Sequence, residues 1–279
     1  MTYTMLVTTF TGDIQQFEMF CHCMNRNWQG QRRLMVCLGS GDDLERFSAI
    51  TGRHFDSDWQ IEIYPCMHSS PIGPAEQQVN TVYRSINSGV DDVIVWDCKD
   101  FLLRPCDYST FKKNGKYRVT YLLRGQRLVD LGYDLSGLVD APIDRYIAIS
   151  NIRPWMWNVE QLTRYWARMN HVFGDYRGWD GYPTGCEIYG YYICALQDPD
   201  KLVEFLAHEE MPLLFGGGYT HQTFEGIVRE SAEFDQSPHQ IIWKHSRKLA
   251  DPRCLEVTRA VLLRHGIDAQ VIDQIYPVT

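Results

Sequence analysis

A short apolar run near the middle of the chain ends in a group of charged residues. The run, residues 93–96 (Val-Ile-Val-Trp), is followed by Asp97, Lys99 and Asp100. Such a run predicts a strand buried on both faces of a parallel sheet. Because ligands of open α/β sheets bind at the carboxyl ends of strands, Asp97 and Asp100 are candidate functional residues. A polar turn that closes an ordinary strand explains the same pattern.

The residues before this run predict the elements that would position it. Strands are predicted at 3–10, 33–38 and 60–64, and helices at 14–28, 42–50 and 75–86. We expect Thr11-Gly12-Asp13 to cap the first helix. This alternation predicts an α/β fold with a Rossmann-like, mostly parallel sheet flanked by helices.

The second half of the chain differs from the first in composition, because it contains many aromatic residues. Strands are predicted at 117–123, 146–149 and 241–245. Pro154 is predicted to open a helix, and Asp198-Pro199 to cap another that runs to His208. Later helices are predicted at 223–232, at 252–265 and from Asp268 onward. An acid, Glu187, follows a glycine-rich aromatic loop. Burial at that place would raise the pKa of Glu187, which suits a general base. The alternative is a paired acid without a catalytic role.

Composition limits the classes of partner. The net charge of −8 argues against broad nonspecific binding to nucleic acid or to an anionic membrane. One dense basic segment contains Lys112, Lys113, Lys116, Arg118, Arg124 and Arg127. It would either follow a phosphate backbone or form a solvated hairpin.

The cysteines and the termini indicate the compartment. Nine cysteines without paired C-x-x-C spacing argue against zinc and against a disulfide framework, so a reducing cytoplasm is expected. The sequence contains neither a signal-peptide pattern nor an apolar run of membrane-spanning length.

Common catalytic signatures are missing from the sequence. The P-loop, the dinucleotide G-x-G-x-x-G after the first strand, G-x-S-x-G and H-E-x-x-H are all absent. Kinase, dehydrogenase, α/β-hydrolase and zinc-protease functions therefore lose support. The remaining plan, an α/β half with acids at a strand tip and an aromatic half with one acid, is that of a GT-A nucleotide-sugar transferase. Such enzymes neutralise the leaving diphosphate, usually with a divalent cation held by a D-x-D.

The chain resembles the DUF6492-type family of GT-A-like glycosyltransferases of bacteria and phages. The resemblance covers most of residues 3–195, and little carries over from Gly216 onward. The matching pieces, in chain order, are Thr8-Thr9-Phe10 with Asp13, Gln77-Gln78, Asp97-Cys98-Lys99-Asp100-Phe101 with Arg104-Pro105, Pro154-Trp155, and Glu187-Ile188-Tyr189-Gly190.

This resemblance implies a single GT-A-like domain over 1–279. It would comprise a nucleotide-sugar-binding half (1–110), an acceptor-side half (111–230) and a C-terminal helical tail (231–279). The activity implied is hexosyl or pentosyl transfer from a nucleotide-diphosphate donor, with a UDP-sugar expected first. Donor-binding residues would be Thr8, Thr9, Phe10, Asp13, Gln77, Lys99 and Tyr189.

The resemblance also implies a Mn²⁺ or Mg²⁺ site, with one departure from the family pattern. Asp97 matches the first acid of the D-x-D, but the second acid is Lys99 here. Either Asp100 is the second ligand, or Lys99 itself neutralises the diphosphate and the metal is dispensable. His245, or alternatively His221, would complete the metal shell or touch the diphosphate. Glu187 would activate the acceptor in an inverting enzyme or bind sugar in a retaining one.

The acceptor and the class of protein stay open at this point. A hydroxymethylated pyrimidine in phage DNA would have to be extruded into an aromatic pocket. A surface glycan or a lipid-linked sugar is an equal alternative, and a phage enzyme would work in the host cytoplasm. Two other classes are a non-catalytic nucleotide or carbohydrate binder, favoured by Lys99, and a structural protein of a virus.

Overall fold

The structure, a computed structural model, describes residues 2–39, 44–65, 74–122, 146–147, 154–173, 199–206, 223–237, 240–245 and 251–277. Its helices are α1 (Ile14–Asn27), α2 (Leu44–His54), α3 (Pro74–Ile86), α4 (Val159–Phe173), α5 (Phe224–Gln236), α6 (Arg253–Arg264) and α7 (Ala269–Ile275). Its strands are β1 (Tyr3–Thr9), β2 (Arg33–Leu38), β3 (Gln60–Tyr64), β4 (Asp92–Asp97), β5 (Asp100–Leu102), β6 (Lys112–Lys113), β7 (Lys116–Leu122), β8 (Tyr146–Ile147), β9 (Trp155–Asn158), β10 (Val203–Leu206) and β11 (Ile242–Lys244).

The main sheet contains five strands in the order β3-β2-β1-β4-β9. The first four are parallel to their neighbours, and β9 runs antiparallel to β4 at the edge. The protein is thus a mixed α/β fold whose mostly parallel central sheet is flanked by helices. This confirms the predicted β-α-β-α-β opening and the predicted fourth strand.

Both faces of the main sheet are covered by apolar side chains. On β4, Ile94 and Trp96 pack with α1 and the C-terminal helices, whereas Val93 and Val95 pack with the apolar stripe of α4. Successive side chains of a strand point to opposite faces, so one strand contributes to both cores. The apolar run 93–96 is therefore a strand buried on both faces, as predicted.

Two predicted helices are wrong in the described residues. The helix predicted to open at Pro154 begins at Val159, because residues 155–158 pair with β4. The helix predicted from Asp198 to His208 is replaced, over the described residues 199–206, by a 3₁₀ turn and strand β10, which pairs with β7. In both places pairing with a distant strand overrides the local preference.

The three segments expected from the sequence (1–110, 111–230 and 231–279) are joined by strand pairing between them. Strand β9, from the middle segment, completes the sheet of the first segment. Strand β11, from the tail, pairs with β5 of the first segment. The tail also reaches α1, where Gln15 donates to the Ile275 carbonyl at 2.9 Å.

A buried ion pair joins the amino end of β4 to the smaller sheet. Asp92 is fully buried, and Lys112 Nζ lies 2.7 Å from its Oδ2. The hydroxyls of Tyr108 and Tyr117 also donate to this carboxylate. Burial, together with the bond to Asp92, raises the pKa of Tyr108. The cluster therefore holds residues 108–117 against the sheet through a neutralised charge.

Lys112→Met is expected to lower the free energy of unfolding by about 3–5 kcal/mol, because it leaves the Asp92 carboxylate buried without its cation. Unfolding in urea measures the change. Lys113→Met, the same substitution at the exposed neighbouring lysine, is expected to cost less than about 0.5 kcal/mol. Equal effects of the two substitutions would show that the ion pair contributes nothing to stability.

Candidate functional site

The strand order creates a switch point between β1 and β4. From β1 the chain moves to one side, through β2 and β3, and then returns to the other side of β1 at β4. Connections diverge at such a point, which opens a crevice at the carboxyl ends of the two strands. In register, Thr8 of β1 lies opposite Asp97 of β4. The predicted residues after β1 and after β4 are therefore neighbours.

Five charged residues meet at this point and form what we call the switch-point cluster. Lys99 Nζ lies 2.7 Å from Oδ2 of Asp13 and 3.4 Å from Oδ1 of Asp97. Lys244 Nζ lies 3.2 Å from Oδ1 of Asp100 and 3.5 Å from Oδ2 of Asp97. Asp97, Lys99 and Lys244 are between 15% and 19% exposed, so solvent reaches the cluster, whereas Asp13 and Asp100 are almost fully covered.

The turn after β4 is held in place by hydrogen bonds of its own residues. The Asp97 amide donates to Asp100 Oδ2 at 3.1 Å, and the Lys99 amide donates to Asp97 Oδ1 at 3.3 Å. The His245 amide donates to the Lys99 carbonyl at 2.9 Å. Both Asp97 and Asp100 thus use part of their acceptor capacity to shape the turn that presents Lys99.

Asp13 was predicted to cap the first helix, and it has a different role. Residues 11–13 form a 3₁₀ turn before α1, and Asp13, at the N-cap position, makes no side-chain capping hydrogen bond. Its carboxylate contacts Lys99 instead. This contact links the segment after β1 to the segment after β4.

The cluster keeps Lys99 protonated. Burial alone would lower the pKa of Lys99, but the carboxylates of Asp97 and Asp13 outweigh it, and the pKa is raised. At neutral pH, Lys99 is therefore an ammonium group at the position where the D-x-D pattern has its second acid. Cys98 lies between Asp97 and Lys99 in the sequence, and its thiol is buried. Burial raises the pKa of the Cys98 thiol, so the thiol stays protonated and unreactive.

His245 is buried beside the cluster and is held by a hydrogen-bond chain. Trp243 Nε1 donates to Thr258 Oγ1 at 3.1 Å, and that oxygen lies 2.9 Å from His245 Nδ1. Nδ1 is thus engaged by the Thr258 hydroxyl, and the direction of that hydrogen bond depends on the imidazole tautomer. Burial lowers the pKa of His245 to about 4. At neutral pH the ring is therefore uncharged, and its Nδ1 is already engaged by Thr258.

The remaining predicted residues are distributed as follows. Thr8 and Thr9 end β1 and Phe10 follows it, which places all three at the switch point. Gln77 lies in the first turn of α3, where the structure describes only the backbone. Glu187, Tyr189 and His221 lie outside the described residues. Sequence reasoning missed Lys244, and its only signal was a cation beside His245 at the end of a short strand.

The basic segment is partly used inside the protein. Lys112 is buried against Asp92, so at this residue neither of the two expectations, a place along a phosphate backbone or a solvated hairpin, holds. Arg118 lies 3.7 Å from Glu204. Lys113 is exposed, whereas Arg124 and Arg127 lie outside the described residues. Lys112 therefore cannot contribute to a continuous cationic surface along this segment.

Comparisons with protein-family models and with curated proteins found no match. The family resemblance therefore rests on the matching residues alone. Over the described residues, no group of three or more His, Cys, Asp and Glu side chains is arranged to hold a metal ion. In the same residues, no helix combines the length and the apolar character needed to cross a membrane.

The stability of the protein is expected to fall in acid because of His245. Unfolded histidine titrates near pH 6.5, whereas the folded pKa is about 4. Between these values the unfolded chain takes up a proton that the folded protein does not, so the contribution is complete above about pH 6.5 and is lost as the pH falls. The loss is about 3 kcal/mol and is measured by urea unfolding at pH 7.5 and pH 4.5.

His245→Gln isolates this contribution from the titration of the carboxylates. The variant is expected to lose less stability than wild type between the two pH values. His171→Gln, at an exposed position of α4, is the matched control and is expected to behave as wild type. An unchanged pH dependence in His245→Gln would contradict the assignment of a buried neutral imidazole.

Proposed function

We propose that this protein transfers a sugar from a nucleotide-diphosphate donor, a UDP-sugar in the first instance, to a hydroxyl group of an acceptor. The observation that carries the proposal is the meeting of Asp13, Asp97 and Lys99 at the switch point. These residues come from the ends of two adjacent parallel strands, where α/β folds bind nucleotides. They are also positions that match the GT-A-like resemblance.

The donor would lie across the carboxyl ends of β1 and β4. Thr8, Thr9, Phe10 and Asp13 bind the base and ribose in this proposal, with Gln77 and Tyr189 along the donor. The diphosphate lies next to Asp97, Lys99 and Asp100. Transfer of the sugar leaves a nucleotide diphosphate whose charge rises as the glycosidic bond breaks. Fixed cationic groups placed near that charge lower the barrier because they need no reorganisation.

Glu187 is the proposed group on the acceptor side. As a base, it takes the proton of the acceptor hydroxyl while that oxygen attacks the anomeric carbon. In a retaining enzyme it binds sugar instead. The anomeric configuration of the product distinguishes the two roles.

The metal implied by the resemblance does not fit the described side chains well. Both candidate carboxylates, Asp97 and Asp100, face lysine ammonium groups. The third candidate, His245, directs Nδ1 to Thr258. A requirement for Mn²⁺ or Mg²⁺ stays a prediction.

The acceptor class is proposed without preference between DNA and glycans. The burial of Lys112 removes one observation that favoured DNA. A hydroxymethylated pyrimidine in DNA and a lipid-linked or surface glycan are therefore tested side by side.

A non-catalytic nucleotide or carbohydrate binder is the second candidate function. The observation that favours it is the ammonium group of Lys99 in place of a D-x-D acid. Release of nucleotide diphosphate from a UDP-sugar separates the two functions, because a binder releases none.

Asp97→Asn is expected to lower kcat/KM for sugar transfer by at least about 100-fold, since Asp97 is the carboxylate that contacts both Lys99 and Lys244 and positions them at the proposed diphosphate position. The fold is expected to persist because each lysine keeps another carboxylate, Asp13 for Lys99 and Asp100 for Lys244. UDP release from a UDP-sugar measures the rate, and circular dichroism checks the fold.

Asp58→Asn is the matched control, because Asp58 forms an exposed ion pair with Arg32. It is expected to retain wild-type activity. Full activity of folded Asp97→Asn would end the assignment of the donor site to the tip of β4.

A further inference from the structure

We propose that Lys244 and Lys99 together fill the role of a divalent cation at the diphosphate position, so that the donor binds without a metal. The inference rests on the proposed function for the identity of the ligand. It adds Lys244, from the C-terminal segment, to the residues of that site.

Lys244 occupies the place between the two acids that a metal would need. Its Nζ lies 3.5 Å from Asp97 Oδ2 and 3.2 Å from Asp100 Oδ1. A bound Mg²⁺ requires carboxylate oxygens at about 2.0–2.1 Å. An ammonium group and a metal ion cannot occupy the same space, and their positive charges would repel each other. Occupation by Lys244 and occupation by a metal are therefore alternatives.

The formal charges of the two arrangements are equal when Asp13 is left out, and with Asp13 the switch-point cluster carries a formal charge of −1. In a D-x-D site two carboxylates hold one divalent cation, which leaves no net charge. Here Asp97 and Asp100 face Lys99 and Lys244, which also leaves no net charge. The additional carboxylate, Asp13, lies at the N-terminal end of α1, where the helix dipole offsets part of its charge.

The contacts of Lys244 are long for charge-assisted hydrogen bonds. Such bonds are typically about 2.7–2.9 Å, as in the Lys99–Asp13 pair. Both Lys244 distances exceed this range. A lysine side chain reorients easily, so either of these two contacts can be exchanged for one with a phosphate oxygen. The Lys99–Asp13 contact is shorter than either contact of Lys244 with Asp97 and Asp100.

The fold delivers Lys244 to this place from a rigid support. Lys244 is paired with Asp100 in the antiparallel ladder of β11 and β5. The residues on either side, Trp243 and His245, are buried and are both bonded to Thr258 of α6. The backbone of Lys244 is therefore held by its neighbours, and an exchange of carboxylate for phosphate involves its side chain alone.

Titration with Mn²⁺ alone tests the occupation of the cation position. Lys244→Met removes the ammonium group between Asp97 and Asp100, so it is expected to bind Mn²⁺ at least about tenfold more tightly than wild type. Electron paramagnetic resonance of free Mn²⁺ measures binding. Lys113→Met, which loses the same charge at an exposed site, and Lys244→Arg, which keeps it, are expected to bind Mn²⁺ as wild type does.

Titration with UDP tests the role of the lysines in donor binding. UDP is expected to raise the Tm of wild type equally in EDTA and in Mn²⁺. Lys244→Met in EDTA is expected to lose at least about tenfold in UDP affinity, and Mn²⁺ is expected to restore it. The wild-type measurement decides the question even if Lys244→Met does not fold.

Two results would overturn the inference while leaving the proposed function intact. One is stabilisation of wild type by UDP only when Mn²⁺ is present. The other is that wild type binds Mn²⁺ as tightly as Lys244→Met does, while a separate titration shows that UDP binds to wild type. A different result, no stabilisation by UDP or UDP-sugars in either buffer, would refute the proposed function and the lysine pair with it.

Discussion

The parallel pairing of β1 with β4 is the constraint on which the candidate site depends. A parallel pair brings two carboxyl ends to the same edge of the sheet, and the register sets Thr8 opposite Asp97. Asp13 and Lys99, far apart in sequence, thereby come within 2.7 Å. The chain leaves β1 toward β2 on one side and returns at β4 on the other, and α/β folds bind ligands at such a switch point. Nucleotide binding at this edge would use a geometry that the sheet already imposes.

Desolvation explains why the cluster contains cations at all. Asp13 and Asp100 have side chains only 2% and 3% exposed, and a carboxylate buried without a partner costs several kcal/mol. Lys99 and Lys244 supply the compensating charge. The same lysines are the groups that would meet a diphosphate. A ligand at this site must therefore replace the bonds that the lysines give up, so its binding is an exchange of partners and not a simple addition.

The two ends of β4 show how exposure separates a structural cluster from a candidate site. At the amino end, Asp92 is fully buried beneath residues 108–117 and Lys112 is 5% exposed. At the carboxyl end, Asp97 and Lys244 remain 15% and 18% exposed. Both clusters contain aspartate and lysine at similar distances. Only the second one lies at the switch point and is open to solvent, and only there can a ligand compete for the charges.

The sequence alone determined the parallel sheet and the charged tip of its fourth strand, because apolar periodicity and caps are local properties of the chain. It placed β1 to β4 and named Asp97, Lys99 and Asp100 at one strand tip, whereas Asp13 was expected to cap the first helix and to bind the base and ribose of the donor. The edge strands β9 and β10 and the positions of Lys112 and Lys244 were decided only by the tertiary structure. Strands of four residues carry too little periodicity to be distinguished from helix, so pairing with a distant strand selects them. The partner of a lysine likewise depends on which distant carboxylate the fold brings near it, and no local pattern encodes that.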